Sequence, residues 1–398
     1  MTNPRVFNNT FNPGPEGTRS YNACVGNNGF VDRRSYGDGF AEAVDLLTSA
    51  LLTDDPRGQL DTLIYPICFC ARHHVELFVK EQLDAISKMR GIMPLASTDN
   101  GHHLGDLWKA LVTLAAATDR RFEPLLAKMD GTISDIAQID PTGQTFRYPI
   151  STESAKHLVQ TPVINIPTLR QEFMVLAERI KEFEYFVDDL TEEYRRKTFT
   201  KKLSRPELEA IAKSLPNRAA WGEGTKLTEI QARFMEEFEL SKKDFCRALC
   251  AIQEHREFCA LIGMHLPIVG LDTPSLDALN QLFKKEIQAE QMPPDSLVSL
   301  SAVFEVASPS NYSEDFDRLR DNFALDFDIN ECVFLHVPRW ARQIERLATG
   351  LRKVGQLDLA DYLERNVKPA PQEKNAGKAS DLFSRLRIKI DRQEDDLK

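Results

Sequence analysis

The sequence has no long apolar run, no paired cysteine spacing and no excess of basic residues. No stretch of about eighteen apolar residues occurs, so we expect no membrane-spanning helix. The seven cysteines show neither zinc-knuckle nor Cys-x-x-Cys spacing, which favours a reduced, cytoplasmic setting. The net charge of −10 provides no global attraction for nucleic acid, so any polyanion must bind a local basic pocket.

Few segments alternate with period two and none repeats another, so the pattern predicts an all-α protein. We expect an irregular arm over residues 1–38 and a helical bundle over 39–200, followed by a second helical domain over 201–367. A linker and a short helix are expected over 368–398. The first forty residues lack the apolar core of a signal peptide, so we expect none.

Apolar periodicity predicts three helices in the bundle that bear on function. Two of them, at about 60–86 and 102–117, each carry a histidine doublet, and Asp99 and Asn100 are candidate caps of the second. The third, at 168–195, is expected to open with a Thr-x-x-Gln capping box. Its apolar stripe predicts burial in a core or across a homodimer, through Phe173, Ile180, Phe183 and Val187.

Four of the eight histidines form two doublets in one apolar neighbourhood. His73-His74 lies within the first of these helices, and His102-His103 lies at the start of the second. A helix N-terminus disfavours a protonated imidazole and attracts anions. Asp106 lies one turn beyond His102, where its carboxylate could fix the tautomer of that ring. This concentration indicates either a buried polar network or a functional site.

A polar line runs along the first histidine helix. Arg72, Glu76 and Lys80 follow one another at intervals of four residues, and His73 lies beside them. The rest of that helix is apolar over most of its circumference, which predicts an interior position. The polar line must therefore be paired or face a wet cavity, because unpaired buried charges cost several kcal/mol. His74 falls in the apolar stripe and is expected in the core.

These residues suit phosphodiester cleavage if the two helices pack together. A neutral imidazole would act as the base, and arginines would stabilise the charge of the transition state. A space of phosphate size would then be surrounded by Arg72, His73, His102 and Arg147. The predicted catalytic residues are His73, His102, Arg72 and Glu76. The predicted phosphate-binding residues are Arg147, His103 and Lys80.

Two alternative interpretations stay open. Arg-Glu-Lys ladders and histidines at helix starts are common structural devices, and in that case the polar line only stabilises the fold. A metal centre is the second alternative, because His73 with Glu76 and His102 with Asp106 have chelate spacings, although no metal-binding family motif is present. We predict no metal and no cofactor. The two cysteines of the first histidine helix lie at apolar positions, which disfavours nucleophilic catalysis.

Three segments resemble the signature elements of the HEPN superfamily, in the same order and with similar spacing. RHHVEL at 72–77 resembles part of its signature helix, and HHLGDLW at 102–108 resembles its "HDL…LW" helix. DPTGQTFRYP at 140–149 resembles its "D…FRYP" element. The resemblance covers about residues 36–200.

The resemblance implies an all-α bundle that forms homodimers and a metal-independent RNA endonuclease of antiphage defence or a toxin–antitoxin pair. Active members typically carry an Arg-x4-6-His motif, which this chain lacks. Its nearest pair, Arg247 and His255, has seven residues between. The alternative is a non-catalytic helical interaction or regulatory subunit that binds a partner protein of a defence complex. Surface exposure of His73 and His102 would favour the enzyme, and their burial would favour the interaction subunit.

Overall fold

The computed structural model is all-α, as the sequence predicts, and none of its described residues lies in a β-strand. The structure describes residues 10–26, 31–53, 59–89, 101–150, 156–223, 225–325, 327–329, 332, 335 and 340–368. Candidate caps Asp99 and Asn100 and the predicted helix beyond residue 368 lie outside these residues. The chain divides into two compact units, Met1–Arg195 and Arg196–Lys398. None of the described helices combines the length and apolarity needed to cross a membrane.

The first unit is organised around one long central helix. Its helices are α1 (Arg33–Thr53), α2 (Leu60–Met89), α3 (Leu104–Thr118), α4 (Glu123–Ile139) and α5 (Ile166–Arg195). Helix α2 packs against α1, α3 and α5, and α4 packs against α3 and α5. The predicted packing of the two histidine helices, α2 and α3, is therefore confirmed. It brings the two histidine doublets to the same region.

Helix α1 begins earlier than the apolar periodicity indicates. The sequence predicts the first helix from about Phe40, whereas α1 begins at Arg33. The reason is a local cap, because the Asp32 carboxylate accepts a hydrogen bond from the backbone N–H of Ser35 at 2.8 Å. The arm therefore ends before Arg33, whereas the sequence predicts that it extends to residue 38. It also contains a 3-10 turn at Glu16–Tyr21.

His74 lies in the core between α1, α2 and α5, as its position in the apolar stripe predicts. Its residue is buried, and Nδ1 lies 2.9 Å from the backbone carbonyl of Gly37 on α1. The ring also meets Phe173 of α5 edge-on, with centroids 5.7 Å apart. A Cβ at Gly37 would lie 3.4 Å from Nδ1, so the glycine permits this close approach of α1 to α2.

The apolar stripe of α5 is buried within the first unit, which confirms its predicted burial. The buried residues include Phe173, Ile180, Phe183 and Val187. Because the unit itself covers this stripe, the stripe does not require a second copy of the chain. The predicted capping box is wrong, since α5 begins at Ile166 and the Asn165 side chain accepts from the N–H of Thr168 at 3.0 Å.

The second unit consists of shorter helices around two apolar clusters, one formed by residues between 203 and 262 and the other by residues between 268 and 367. They are α6 (Arg205–Ser214), α7 (Thr225–Glu237), α8 (Lys242–Glu254), α9 (Arg256–Leu261), α10 (Thr273–Phe283), α11 (Pro294–Val306), α12 (Asp315–Leu325), α13 (Trp340–Lys353) and α14 (Leu357–Asn366). The sequence predicts one helix over 241–263, and this is wrong. His255 has an extended backbone there, and its Nδ1 accepts from the N–H of Phe258 to cap α9.

A buried carboxyl of α5 makes a pH-dependent contribution to stability. Arg34 binds Glu184 at 2.9 Å and also binds Asp188 at 2.9 Å, while Asp38 adds a further negative charge. Burial raises the pKa of Glu184 to about 7 from 4.5, because one arginine does not offset burial and two neighbouring carboxylates.

Replacing Glu184 by glutamine is therefore expected to reduce the pH dependence of stability. The folded protein holds the Glu184 proton more tightly than the unfolded chain does, so stability present below pH 4.5 is lost as pH rises through about 7. The loss amounts to about 3 kcal/mol at most. Denaturant melts of wild type and Glu184→Gln from pH 4 to pH 8 measure it, and parallel profiles would contradict the prediction.

Candidate functional site

Glu76 of α2 is the centre of the polar network that joins the two histidine segments. Its side chain is only 5% exposed. The carboxylate accepts hydrogen bonds from Arg72 Nη1, from Lys80 Nζ at 2.8 Å and from His102 Nδ1 at 2.8 Å. Burial raises the pKa of Glu76, but these three partners outweigh it and lower the pKa to about 2. Glu76 is therefore ionised at neutral pH.

Arg72 binds the backbone of two segments from the interior of the first unit. Its residue is 1% exposed. Nε donates to the Asp140 carbonyl at 2.9 Å, and Nη2 donates to the carbonyls of His102 at 2.7 Å and Pro141 at 3.3 Å. The predicted catalytic role requires Arg72 to contact a phosphate beside the exposed His102 ring, but its guanidinium is buried and already bonded to Glu76 and to backbone carbonyls. The role open to Arg72 is to position the segments that it binds.

Lys80 lies in the same interior network. Its residue is buried, and Nζ donates to Glu76 Oε1 at 2.8 Å. The sequence predicts a phosphate-binding role for Lys80, but the ammonium is enclosed and already paired. It serves instead as a counter-charge for the buried carboxylate.

His102 presents an oriented imidazole at the surface. Its side chain is 63% exposed, and its backbone carbonyl is held by Arg72. Because the ionised Glu76 can only accept, Nδ1 must carry the proton of this hydrogen bond. Nε2 then carries the lone pair. The same logic operates in the carboxylate–histidine pair of serine proteases, where a carboxylate on Nδ1 leaves Nε2 to act as a base.

His103 is paired with Asp106, the residue that the sequence predicts could fix the tautomer of His102. Its Nδ1 lies 3.1 Å from Asp106 Oδ2, because His103 is the N-cap of α3 and Asp106 lies within reach three residues on. Asp106 therefore does not fix the His102 tautomer. The Leu104 N–H already donates to the Pro141 carbonyl at 2.9 Å. The Asp106 carboxylate and the Pro141 carbonyl therefore already occupy the start of helix α3. Because both carry full or partial negative charge, His103 lies at a poor position for binding phosphate.

His73 lies against an aromatic wall beside the network. Its side chain is 33% exposed, stacked on Phe69 with centroids 5.6 Å apart and edge-on to Phe40 at 4.6 Å. Nδ1 is 4.0 Å from Glu76 Oε2, which is too long for a hydrogen bond. Burial lowers the pKa of His73, more than nearby Glu76 raises it. His73 is therefore a neutral imidazole that is less accessible than His102.

Arg147 is the accessible cation next to this network. It is exposed, its Nε donates to the Gly143 carbonyl, and its guanidinium lies 5.7 Å from the Phe69 ring centre and 5.8 Å from that of Tyr148. Gly143 has a φ of +78°, and a Cβ there would lie 3.4 Å from both Arg72 Cζ and Arg147 Nη2. Glycine therefore allows the loop to pass between the buried and the exposed arginine.

Asp140 anchors the loop that carries Arg147. The residue is fully buried, its Oδ1 accepts from the Thr145 N–H at 3.1 Å, and its carbonyl accepts from Arg72. The sequence predicts that this loop supplies Arg147 to a phosphate, but it does not indicate what holds the loop in place. The structure shows that its first residue binds the network and its eighth residue supplies the exposed cation. Neither this role of Asp140 nor the aromatic wall of Phe40 and Phe69 was predicted, since both depend on contacts between distant segments.

The chelate spacings do not assemble into a metal centre. Among the described residues, no three His, Cys, Asp or Glu side chains are arranged to hold a metal ion. His73 and Glu76 are separated by 4.0 Å, and Asp106 is directed to His103. The site that the structure assembles is instead a buried carboxylate, an exposed histidine and an exposed arginine. Comparisons with protein-family models, curated proteins and solved structures found no match to this chain.

Proposed function

We propose that the first unit is a HEPN-like, metal-independent RNA endonuclease in which His102 acts as the general base. The observation that carries this proposal is the buried, ionised Glu76 bonded to Nδ1 of an exposed His102. The exposure of His102 and the partial exposure of His73 support the enzyme over a purely structural network. The sequence resemblance supports RNA as the substrate and antiphage defence or a toxin–antitoxin pair as the setting.

The proposed reaction is transesterification at an RNA phosphodiester. His102 Nε2 takes the proton of the ribose 2′-hydroxyl, and the 2′-oxygen forms a bond to phosphorus. The bond from phosphorus to the 5′-oxygen breaks, and the leaving oxygen takes a proton from water. The products are a 2′,3′-cyclic phosphate and a 5′-hydroxyl. Arg147 stabilises the charge on the non-bridging oxygens, so the protein supplies both the base and the cation.

Cleavage of total RNA by the purified chain is expected to persist in EDTA and to depend on Arg147. Arg147→Ala should lower the rate roughly 10²- to 10³-fold, the usual effect of removing one charge-stabilising donor. Gel analysis of RNA fragments and of their cyclic-phosphate ends measures the rate. Arg179→Ala, which removes a surface arginine of α5, is the matched control. An unchanged rate in Arg147→Ala would count against the proposed transition-state contact.

A second candidate, the non-catalytic interaction subunit, is favoured by a different observation. A groove of about 560 Å³ in the first unit is lined by exposed apolar side chains. They are Leu52, Leu60, Tyr65 and Val163. Exposed apolar surface of this kind is typical of protein-binding sites. In this candidate function the groove binds a partner protein and the polar network only stabilises the fold. A homodimer and a cytoplasmic location belong to both proposals and rest on the sequence alone.

A further inference from the structure

An apolar cleft lies beside the polar network, between α2, α4 and α5 of the first unit. Its volume is about 310 Å³, which falls in the range of small-molecule sites. The apolar walls are formed by Ile136, Ile139, Phe146, Ile164, Leu169 and Phe173. The cleft is separate from the exposed face of His102, and no part of the proposed RNA cleavage uses it.

The inner end of the cleft offers no free charge to a ligand. Arg72 lines it, but its guanidinium is already bonded to Glu76 and to three backbone carbonyls. Cys68 also lines it, and burial, together with the charge of nearby Asp140, raises the pKa of this thiol to about 12. The inner wall therefore offers a ligand no unpaired charge, so the part of a ligand that best fits there is apolar.

The outer end of the cleft carries two carboxylates. Asp135 of α4 and Glu172 of α5 line the cleft and are exposed. Neither makes an ion pair or a side-chain hydrogen bond with another residue in the described part of the chain. Two unpaired negative charges at the mouth of an apolar cleft favour a positively charged head group over a negative one.

We propose that this cleft binds a small amphipathic amine, with its apolar body between α2, α4 and α5 and its ammonium beside Asp135 and Glu172. The inference does not depend on RNA cleavage. It does place a ligand in contact with Arg72, which holds His102, and with Phe146, the neighbour of Arg147 in the chain. The site therefore adjoins the network from its interior side.

Calorimetric titration of the full chain with two probes of opposite charge tests the proposal. The probes are 4-phenylbutylamine and 4-phenylbutyrate, which share the same apolar body. The amine is expected to bind at least about tenfold more tightly than the carboxylate probe, because the mouth of the cleft is negatively charged. A tenfold ratio corresponds to about 1.4 kcal/mol of binding free energy. The double variant Asp135→Asn/Glu172→Gln should bring the two affinities within about a factor of two. Glu178→Gln, an exposed carboxylate elsewhere on α5, is the control and should change neither affinity.

A second variant tests whether binding occurs inside the cleft. Ile136→Trp fills much of the cavity and should abolish binding of the amine, with folding checked by circular dichroism. If Ile136→Trp does not fold, the charge-neutralised double variant alone decides the outcome. The proposal is overturned by equal affinities for amine and carboxylate, by amine binding that persists in folded Ile136→Trp, or by no binding at millimolar amine.

Discussion

Replacing Glu76 by alanine is expected to lower the free energy of unfolding by about 3–5 kcal/mol, the usual cost of removing one partner of a buried ion pair. The carboxylate is the shared acceptor of Arg72, Lys80 and His102. Its removal leaves the buried ammonium of Lys80 without its carboxylate partner, and leaves the buried guanidinium of Arg72 only Asp140, whose Oδ2 lies 3.9 Å from Nε. Denaturant or thermal melts of the full chain measure the change. Glu42→Ala, an exposed site on α1, is the control and should stay within about 0.5 kcal/mol.

The same carboxyl should make stability depend on pH in the acid range. Because its pKa falls from 4.5 to about 2 on folding, its contribution is fully present above pH 4.5 and is lost as pH falls towards 2. Glu76→Gln lacks this titration, so its melts should lose less stability than wild type over that interval. A melt that neither substitution changes would show that the polar line of α2 is an ordinary solvated face.

Replacing His102 by alanine is expected to lower the RNA cleavage rate by roughly 10²- to 10⁴-fold, the usual contribution of a general base. Stability should change much less than in Glu76→Ala, because the His102 ring is largely exposed. His265→Ala, an exposed histidine of the second unit, is the matched control for the loss of an imidazole.

His73→Ala separates the remaining interpretations of this site. The sequence predicts that His73 is also required for cleavage, and the proposal retains that expectation for the neutral imidazole beside Glu76. Full activity in both His73→Ala and His102→Ala would exclude this site as the catalytic centre. EDTA-sensitive cleavage that both substitutions abolish would support the metal interpretation. A fully stable wild type that cleaves no RNA would favour the interaction subunit.

Much of the fold follows from local patterns in the sequence. Helices α2, α3 and α5 were predicted because large apolar residues recur at helical spacing. Helix α4 was not predicted, since its buried apolar residues are few and lie among polar ones. They are Leu126, Met129 and Ile133. The starts of α1 and α5 were misplaced because single side chains, Asp32 and Asn165, cap them before the apolar stripe begins.

The sequence alone determines which residues of α2 share a face. A repeat of four residues is close to one helical turn, so Arg72, Glu76 and Lys80 must be neighbours wherever this helix forms. The sequence also indicates that this line needs partners, because the surrounding helix is apolar.

Only the tertiary structure decides which of the predicted site residues reach the surface. The backbone at His102, just before α3, and the start of the loop at 140–149 supply the carbonyls that the buried Arg72 binds, while the His102 side chain remains exposed. The tertiary structure also decides that His102 bonds to Glu76, while Asp106 pairs with His103. The physical reason is that the burial of Arg72 and the bond between His102 and Glu76 join segments about 30 to 70 residues apart in the chain, which no local spacing encodes.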